Sequence, residues 1–482
     1  MKKTLLTLFA IASFFIGNAQ GNQKFAPNVY KSTTTDKTFV VKKDLPSSNW
    51  HDNADVSWYT DAQTSFEINS AEQLAGLAKL VMNGKTFEGK TITLTQDIDL
   101  ASHLWTPIGY SATQAFSGTF DGGNHTVKNI QVVRDKGDFI GFFGQVYNGH
   151  LKNTNVENVY LRGRDTMGGF VGNLSTNSTA ENCHVKNVDI VATGYNAGGF
   201  AGGLLTDSSI HNCSSDGVIS GVNQIGGFVG TPWDNTIITE SFATGKVSGD
   251  YIIGGFAGFS TMAFAPNRIN TIKNSYAIVD VNATLERAGG FVGSPQFNMH
   301  IENVYAVGKV TSPLHAGAFA GLVGQVQINK SYYNEDLNDL NAYADFEYGE
   351  TPIDIQGKNT TFMKSQSMVD LLNQNSEELW TISQNINNGY PYLKAQGNMA
   401  NHNYATQPKV KVYPSITTDL VMIEADVVIS NYQIVDTSGR KVMQNSVQTK
   451  RTKVQVNHLP KGTYFLLLET EEGKLTSKFI KK

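Results

Sequence analysis

A short glycine-rich phrase that returns along the middle of the chain constrains the fold more than any other feature of the sequence. Gly-Gly-Phe begins at residues 168, 198, 226, 254 and 289, and two weaker copies, IGFFG and GAFAG, begin at residues 140 and 317. Most copies start 28 to 30 residues after the previous one, and one step is 35 residues long. Self-similarity at a fixed period is the signature of a repeat architecture. The chain therefore contains a row of equivalent structural units.

A second phrase follows each glycine phrase, as in ENCHVKNV from Glu181, HNCSSDGV from His211 and ENVYAVGKV from Glu302. Each unit holds two or three short β-rich stretches broken by Gly or Asn, and none has a helical period. A unit of this length with only short strands and turns suits one rung of a parallel β-solenoid. We therefore predict an all-β fold, a parallel β-helix with short capping helices.

Equivalent residues of successive rungs should stack at the strand spacing of ~4.8 Å, so the columns can be written down. The phenylalanines of the glycine phrase form a predicted inward aromatic stack: Phe142, Phe170, Phe200, Phe228, Phe256, Phe291 and Phe319. A column of asparagines suits a turn in which side-chain amides hydrogen-bond along the stack: Asn153, Asn182, Asn212, Asn274 and Asn303, interrupted by Glu240 and Lys330.

The position after this asparagine column predicts an inward slot for a small side chain, and it contains the only two cysteines, Cys183 and Cys213, one rung apart. Rung spacing lies within the Cα separation of a disulfide, and a secreted location would permit oxidation. Cysteine is also a good small buried residue, and stacked side chains often point parallel to each other. Both a disulfide and an unbonded pair remain open.

One residue further along, the alternation of a strand sends the side chains to the opposite face, toward solvent. This column contains His184 and Ser214 and then four aromatic residues, Phe242, Tyr276, Tyr305 and Tyr332. An exposed aromatic stripe can stack on sugar rings or on a partner's side chains, so these four are the candidate ligand-binding residues. The alternative is that the rings cover neighbouring backbone and protect the sheet.

Composition patterns divide the chain further. Lys2 and Lys3 precede an apolar run and small residues, which predicts a cleavable signal peptide at residues 1–19 and export. A polar lead-in follows at 20–62, the β-helix with an N-terminal capping helix at 63–345, and a C-terminal cap at 346–400. A linker at 401–408 leads to a domain at 409–482 whose alternating strands suit a small β-sandwich. No later apolar run is long enough to span a bilayer, so we expect no membrane span in the mature protein.

Charge argues against one class of partner. The chain has a net charge of −4, of which residues 409–482 contribute +5, so the remainder is acidic at −9. Nucleic acid requires a basic stripe, so we expect no nucleic-acid partner.

Catalytic motifs are also absent from the sequence. It contains neither HExxH nor GxSxG. The carboxylates Asp97, Asp99 and Asp121 suit turns better than a catalytic or calcium site. The LRGRDT stretch, with Arg162, Arg164 and Asp165, suits a surface ion pair. We predict no catalytic residues, no metal site and no cofactor.

Two resemblances extend this interpretation. The repeated GGFVG units, KTITLTQDIDL, WTPIG, FSGTFDGGNHT and GYPYL are similar to GLUG-motif repeat proteins, over residues 64 to 394. This resemblance implies a right-handed β-helix, found in secreted bacterial surface proteins and as an accessory part of immunoglobulin A peptidases. It implies no activity.

The tail, with KVYPSITTDLVMIEA, YQIVDTSGRKV and LPKGTYFLLLETEEGKLTSKFIKK, resembles the C-terminal type A sorting domain that the type IX secretion machinery recognises. That resemblance implies secretion or display at the cell surface, with the secretion machinery as a partner.

We therefore expect a non-catalytic binding or adhesion protein that engages an extracellular glycan or a surface protein through one β-helix face. The alternatives are a β-helix polysaccharide lyase or glycoside hydrolase, and a structural spacer. The insertion AFAPNRIN, Ala263 to Asn270, is where either kind of site could be elaborated.

Overall fold

The computed structural model describes residues 45–260, 267–347, 351, 353–374, 376, 378–399, 410–414, 416–436, 440–470 and 473–482. The predicted signal peptide, residues 20–44 of the lead-in, the linker 401–408 and residues 263–266 of the insertion lie outside the described residues. The chain divides into two compact units, Met1–Leu379 and Trp380–Lys482.

The first unit is a parallel β-solenoid of about 10 turns, as the repeat predicts. Each strand pairs in parallel with the equivalent strands of the rungs before and after it, so that Ile210 lies between Ala180 and Ile238. The register of these pairs follows the spacing of the repeated phrases, which confirms that one repeat forms one rung.

The described strands of this unit form two parallel sheets. The larger sheet has 23 strands, which are Ser65–Ile68, Thr91–Leu94, Ile98–Asp99, Thr119–Asp121, Thr126–Val133, Asp138–Ile140, His150–Gly163, Asp165–Gly168, Thr179–Ala192, Tyr195–Gly198, Ser209–His211, Ser214–Ser220, Asn223–Gly226, Ile237–Thr239, Phe242–Gly254, Asn270–Lys273, Tyr276–Gly289, Met299–Glu302, Tyr305–Val307, Val310–Thr311, Ala316–Gly317, Val326–Asn334 and Ile353–Lys358. The smaller sheet has eight strands, which are Phe143–Tyr147, Val171–Ser175, Ala201–Leu205, Val229–Trp233, Ala257–Ser260, Val292–Pro295, Ala320–Val323 and Tyr343–Phe346.

The glycine phrase forms a corner of the rung and its phenylalanine fills the interior. From Phe170 to Phe319, successive rings stack with centroids 4.8 to 5.2 Å apart, which confirms the predicted inward stack. A Cβ on Gly199 would lie 2.2 Å from the carbonyl oxygen of Gly227 on the next rung. The second glycine of the phrase is therefore required by the close approach of neighbouring backbones.

An amphipathic helix, α1 (Ala71–Met82), lies at the N-terminal end of the solenoid, where the sequence predicts it. Its first turn is capped in a variant of the capping box: the Ser70 hydroxyl accepts from the Gln73 backbone N–H at 3.2 Å, and the Gln73 side-chain oxygen accepts from the backbone N–H of Asn69, the residue before the N-cap, at 3.0 Å. Its Leu74, Leu77 and Val81 side chains are buried in the solenoid core.

Two short helices follow the last rung: α2 (Thr360–Met363) and α3 (Gln366–Asn373). The side-chain amide of Asn303 donates to the carbonyl oxygen of Leu372 in α3 at 3.1 Å. Asn303 follows the strand Met299–Glu302, which lies two rungs before the last strand, Ile353–Lys358. Helix α3 therefore lies alongside the solenoid and not beyond its end.

The second unit contains an antiparallel strand pair, Trp380–Thr381 with Tyr392–Leu393, followed by helix α4 (Lys394–Met399). Six further strands form one connected sheet, and they are Val410–Tyr413, Ile416–Thr417, Leu420–Asp436, Lys441–Gln455, Gly462–Thr470 and Gly473–Lys481. This mostly antiparallel sheet is barrel-like and has its own core around Ile434 and Leu466. Short 3-10 helices in the two units are Trp50–Asn53, Glu335–Leu337 and Asn387–Gly389.

Candidate ligand-binding surface

The aromatic column predicted to bind a ligand is buried. Tyr276 and Tyr305 are 0% exposed, and Phe242 and Tyr332 are 2% exposed. The expectation that these four side chains face solvent is therefore wrong. Their direction is nevertheless away from the interior, since none of them belongs to the solenoid core, whereas their neighbours Ala243, Ala277 and Ala306 do.

Two contacts explain part of this burial. The rings of Phe242, Tyr276 and Tyr305 stack face to face, with centroids 4.9 and 5.1 Å apart, so each ring covers the next. The hydrogen bond from Asn303 to Leu372 brings helix α3 beside Tyr305, which is only two residues from Asn303. A ligand cannot reach these rings in this conformation.

The two cysteines are free and buried, so the disulfide left open by the sequence is not present. Each thiol donates to the carbonyl oxygen two residues earlier, Cys183 to Glu181 at 3.3 Å and Cys213 to His211 at 3.2 Å. Ser241 on the next rung makes the same bond to Thr239. The thiols thus take the place of serine hydroxyls, and burial raises the pKa of Cys213 well above its usual range.

The predicted asparagine column is a hydrogen-bonded ladder that ends on an aspartate. Asn212 donates to Asn182 at 2.7 Å, Asn182 donates to Asn153 at 3.1 Å, and Asn153 donates to Asp121 at 3.1 Å. All three asparagines have a positive φ, and Glu240, which interrupts the column, keeps it at 52°. The Asp121 carboxylate therefore accepts hydrogen bonds within the turn, as its sequence context predicts.

A second ladder was not predicted. Asn187 donates to Asn158 at 2.7 Å, Asn158 donates to Asn129 at 3.1 Å, and Asn129 donates to Asp99 at 2.7 Å. These asparagines also have a positive φ. Their spacing of 29 residues in VKNI, VENV and VKNV was the signal that could have revealed them. Asp97 accepts from the Thr126 amide at 2.9 Å, so all three candidate carboxylates bond within the rungs.

An outward column that the sequence analysis missed lies at the corner before the glycine phrase. We call it the corner column. Each member lies three residues before the first glycine of a glycine phrase: Asp138, Asp165, Tyr195, Asn223, Tyr251, Glu286 and Leu314. The strand registers pair Asp138 with Asp165, Tyr195 with Asn223, Asn223 with Tyr251 and Tyr251 with Glu286.

The backbone turns sharply just after each member of the corner column. The following residues all have φ between 54° and 64°: Phe139, Thr166, Asn196, Gln224, Ile252, Arg287 and His315. Left-handed backbone is costly for β-branched residues such as Thr166 and Ile252, so the stacked rungs must impose it. The turn leaves Tyr195 50% exposed and Leu314 58% exposed.

One end of the corner column carries paired carboxylates. Arg164 bridges Asp138, with bonds of 2.9 and 2.6 Å, and Asp165, at 3.1 Å. Burial raises the pKa of Asp165, and the neighbouring Asp138 raises it further. Asp165 also accepts from the Tyr195 amide at 2.7 Å. Arg162 has a different partner, since it pairs with Asp189 at 2.9 Å and lies over the Tyr160 ring.

Within the described residues, no group of three or more His, Cys, Asp or Glu side chains is arranged to hold a metal ion. Within the insertion Ala263 to Asn270, the described residue Arg268 forms ion pairs with Asp207 and Asp234.

The two units together define an exported β-solenoid protein with a C-terminal sorting domain. The sequence model of the Secretion system C-terminal sorting domain matches residues 411–482, and that of the GLUG motif matches residues 193–220. Both resemblances inferred from the sequence are therefore confirmed. The sorting domain indicates export across the outer membrane to the cell surface or the extracellular space. No helix in the described part of the chain has the length and apolar character needed to cross a bilayer.

Proteins similar to this chain include one curated relative and one solved structure. Halomucin of Haloquadratum walsbyi is 28% identical over 165 residues, which are 31% of this chain and 2% of halomucin. The chain thus spans a very small part of that relative. The crystal structure of a candidate immunoglobulin A1 protease from Bacteroides ovatus matches 70% of this chain and 94% of its own, at 20% identity and a TM-score of 0.47.

Proposed function

We propose that this protein is a non-catalytic binding protein of the cell surface or extracellular space, and that it holds an extended glycan along the corner column. The binding mode is multivalent contact along a rigid rod, in which each rung contributes one side chain. This places the ligand on a different face from the aromatic column that the sequence suggested.

The observation that carries the proposal is the chemistry of the corner column. Seven successive rungs present two tyrosines, an amide, three carboxylates and a leucine in one outward row, at the rung spacing of ~4.8 Å. Tyrosine rings offer flat apolar faces to sugar rings, while carboxylates and amides bond to hydroxyl groups. Tyr195 and Tyr251 lie two rungs apart with Asn223 between them, an alternation that suits consecutive units of an extended sugar chain.

The test is a glycan array probed with the full chain and with the variants Tyr195→Ala and Tyr251→Ala. Each substitution should weaken glycan binding about fivefold, since one aromatic contact contributes about 1 kcal/mol. Ile237→Ala is the matched control, because Ile237 is 47% exposed but lies on another face. Binding that both tyrosine variants retain in full would contradict the proposal, and an array with no bound glycan would favour the structural spacer.

A second candidate, a glycan-cleaving enzyme, is favoured by one observation. Asp138 and Asp165 stand on adjacent rungs, Arg164 binds both, and the pKa of Asp165 is raised, so one carboxyl group is displaced toward the protonated form. If these groups act as acid and base, the full chain releases sugar from the bound glycan and Asp165→Asn abolishes the release. If no sugar is released at any pH, this candidate fails while the binding proposal stands.

A further inference from the structure

The corner of the solenoid ends in a cavity at the last rung of the smaller sheet. The cavity has a volume of about 470 Å³ and lies between the corner residues His315 and Ala316, the loop Asn338 to Asn341 and the strand that begins at Tyr343. This volume lies within the range of sites for small ligands.

The cavity continues the corner column. The amide of Arg287 donates to the carbonyl oxygen of Leu314 at 3.0 Å, and that of Ala288 donates to His315 at 3.1 Å, so Glu286 and Leu314 occupy equivalent positions. The amide of Ala318 in turn donates to the carbonyl oxygen of Asn341. The loop that walls the cavity is therefore the next rung at the same corner.

The walls combine apolar surface with polar groups. Tyr343, whose ring packs 5.0 Å from that of Phe346, and Ala316 supply the apolar part. Asn338 is fixed in place because its amide donates to Gly308 at 2.9 Å and its oxygen accepts from Val310 at 2.8 Å. The exposed side chains of Asp339 and Asn341 make no hydrogen bond to the described residues.

Charge at this end of the corner selects the class of ligand. Asp339 and Asp345 line the cavity, and the only arginine beside it, Arg287, is engaged by Glu286 at 3.3 Å and Glu347 at 3.5 Å within the described residues. A uronate or a sulfated sugar would meet uncompensated negative charge. The carboxylate of Asp339 and the side-chain amide of Asn341, which have no hydrogen-bond partner among the described residues, are instead suited to bond with sugar hydroxyls.

We infer that this cavity binds the terminal unit of a neutral glycan whose preceding units lie along the corner column. The inference rests on the proposed function and adds to it a chain-end subsite and the exclusion of acidic sugars. The protein then recognises how a glycan chain ends as well as its length.

The experiment uses the full chain and titration calorimetry with neutral linear oligosaccharides of increasing length and with glucuronate-containing oligosaccharides. The double variant Asp339→Asn with Asp345→Asn should weaken binding of the shortest neutral oligosaccharides about tenfold. Tyr195→Ala should weaken only the long ones, because Tyr195 lies four rungs from His315 along the corner. Glu157→Gln, at a half-buried carboxylate on another face, is the matched control.

The outcomes separate the two proposals. If the double variant binds short and long neutral oligosaccharides as the native chain does, the end subsite is wrong, while a Tyr195-dependent loss for long chains keeps the proposed function. Equal binding of glucuronate-containing chains also overturns the inference, as does calcium binding at the cavity without sugar binding. If no oligosaccharide binds the native chain, both proposals fail. Circular dichroism of each variant confirms that the fold is retained.

Discussion

At the scale of single residues, the left-handed asparagines decide how the rungs turn. Asn182 has a φ of 52°, and its side chain donates to Asn153 and accepts from Asn212. One residue thus forms the left-handed turn and bonds to both neighbouring rungs. Asparagine tolerates this backbone conformation better than most residues. The ladder therefore both shapes the turn and connects the rungs.

The two contributions of Asn182 can be separated by substitution. Asn182→Ala loses two hydrogen bonds and puts at this φ a residue that tolerates left-handed backbone less well than asparagine, so we expect it to lower the free energy of unfolding by about 3 kcal/mol. Asn182→Gly loses the bonds but keeps the backbone unstrained, so its loss should be about 1 kcal/mol smaller. Urea denaturation measures both values. Equal losses for the two variants would show that the left-handed turn contributes nothing.

A single buried histidine predicts a pH dependence. Burial lowers the pKa of His184 from 6.5 to about 4, and its Nδ1 lies 3.0 Å from the Ser214 hydroxyl. The unfolded chain therefore takes up a proton at a higher pH than the folded chain does. The stability that neutral His184 provides is complete above pH ~6.5 and is lost as the pH falls toward ~4.

We expect the native chain to lose about 3 kcal/mol of unfolding free energy over this interval that His184→Gln does not lose. The measurement is urea denaturation at several pH values between these limits. The control is His211→Gln, which removes an exposed histidine from the neighbouring rung. Parallel pH profiles for the native chain and His184→Gln would show that His184 is accessible to protons in the folded state.

At the scale of elements, helix α3 lies beside the aromatic column. The four rings of the aromatic column point away from the interior, and three of them stack on one another, so this face of the solenoid would be strongly apolar without a cover. Met368, Val369 and Leu372 of α3 are buried as well, and the helix is joined to the solenoid by the hydrogen bond from Asn303 to Leu372. We interpret helix α3 as a cover that prevents this apolar face from associating with other chains.

This interpretation predicts different costs for two tyrosines. Tyr305→Ala should lower the free energy of unfolding by about 3 kcal/mol, since it removes a fully buried ring. Tyr195→Ala should change it by less than about 0.5 kcal/mol, because that ring is 50% exposed. Thermal and urea denaturation of both variants provide the comparison. A cost for Tyr305→Ala as small as that for Tyr195→Ala would show that the column is open in solution.

At the scale of the whole molecule, the tail determines where the protein goes. Deleting residues 411–482 removes the sorting domain and leaves the solenoid unit intact, so we expect the truncated protein to remain in the periplasm. Protease treatment of whole cells and fractionation locate the protein, and the full chain with Ile237→Ala is the control. Surface exposure of the truncated protein would mean that another segment directs export.

The architecture could be predicted well from the sequence, because equivalent residues of successive rungs stack. The period of the repeat therefore determines which residues pair between neighbouring strands. The positions of Phe170 and Asn182 within the repeat were enough to place their columns. The burial of Tyr305 could not be predicted in this way, because alternation gives the direction of a side chain but not which later segment lies beside it. The corner column was missed because its members, such as Asp165, Tyr195 and Leu314, share only an offset from the glycines and no chemical type.

The aspartate at the start of each asparagine ladder gives the rod a direction. A carboxylate can only accept, so the first amide must donate toward it, and every later amide must take the same orientation. Whole rungs can therefore be added or lost further along without any amide reversing, which lets rods of different length arise from one pattern. Loss of Asp99 or Asp121 would instead remove the acceptor that orients the three asparagines of its ladder.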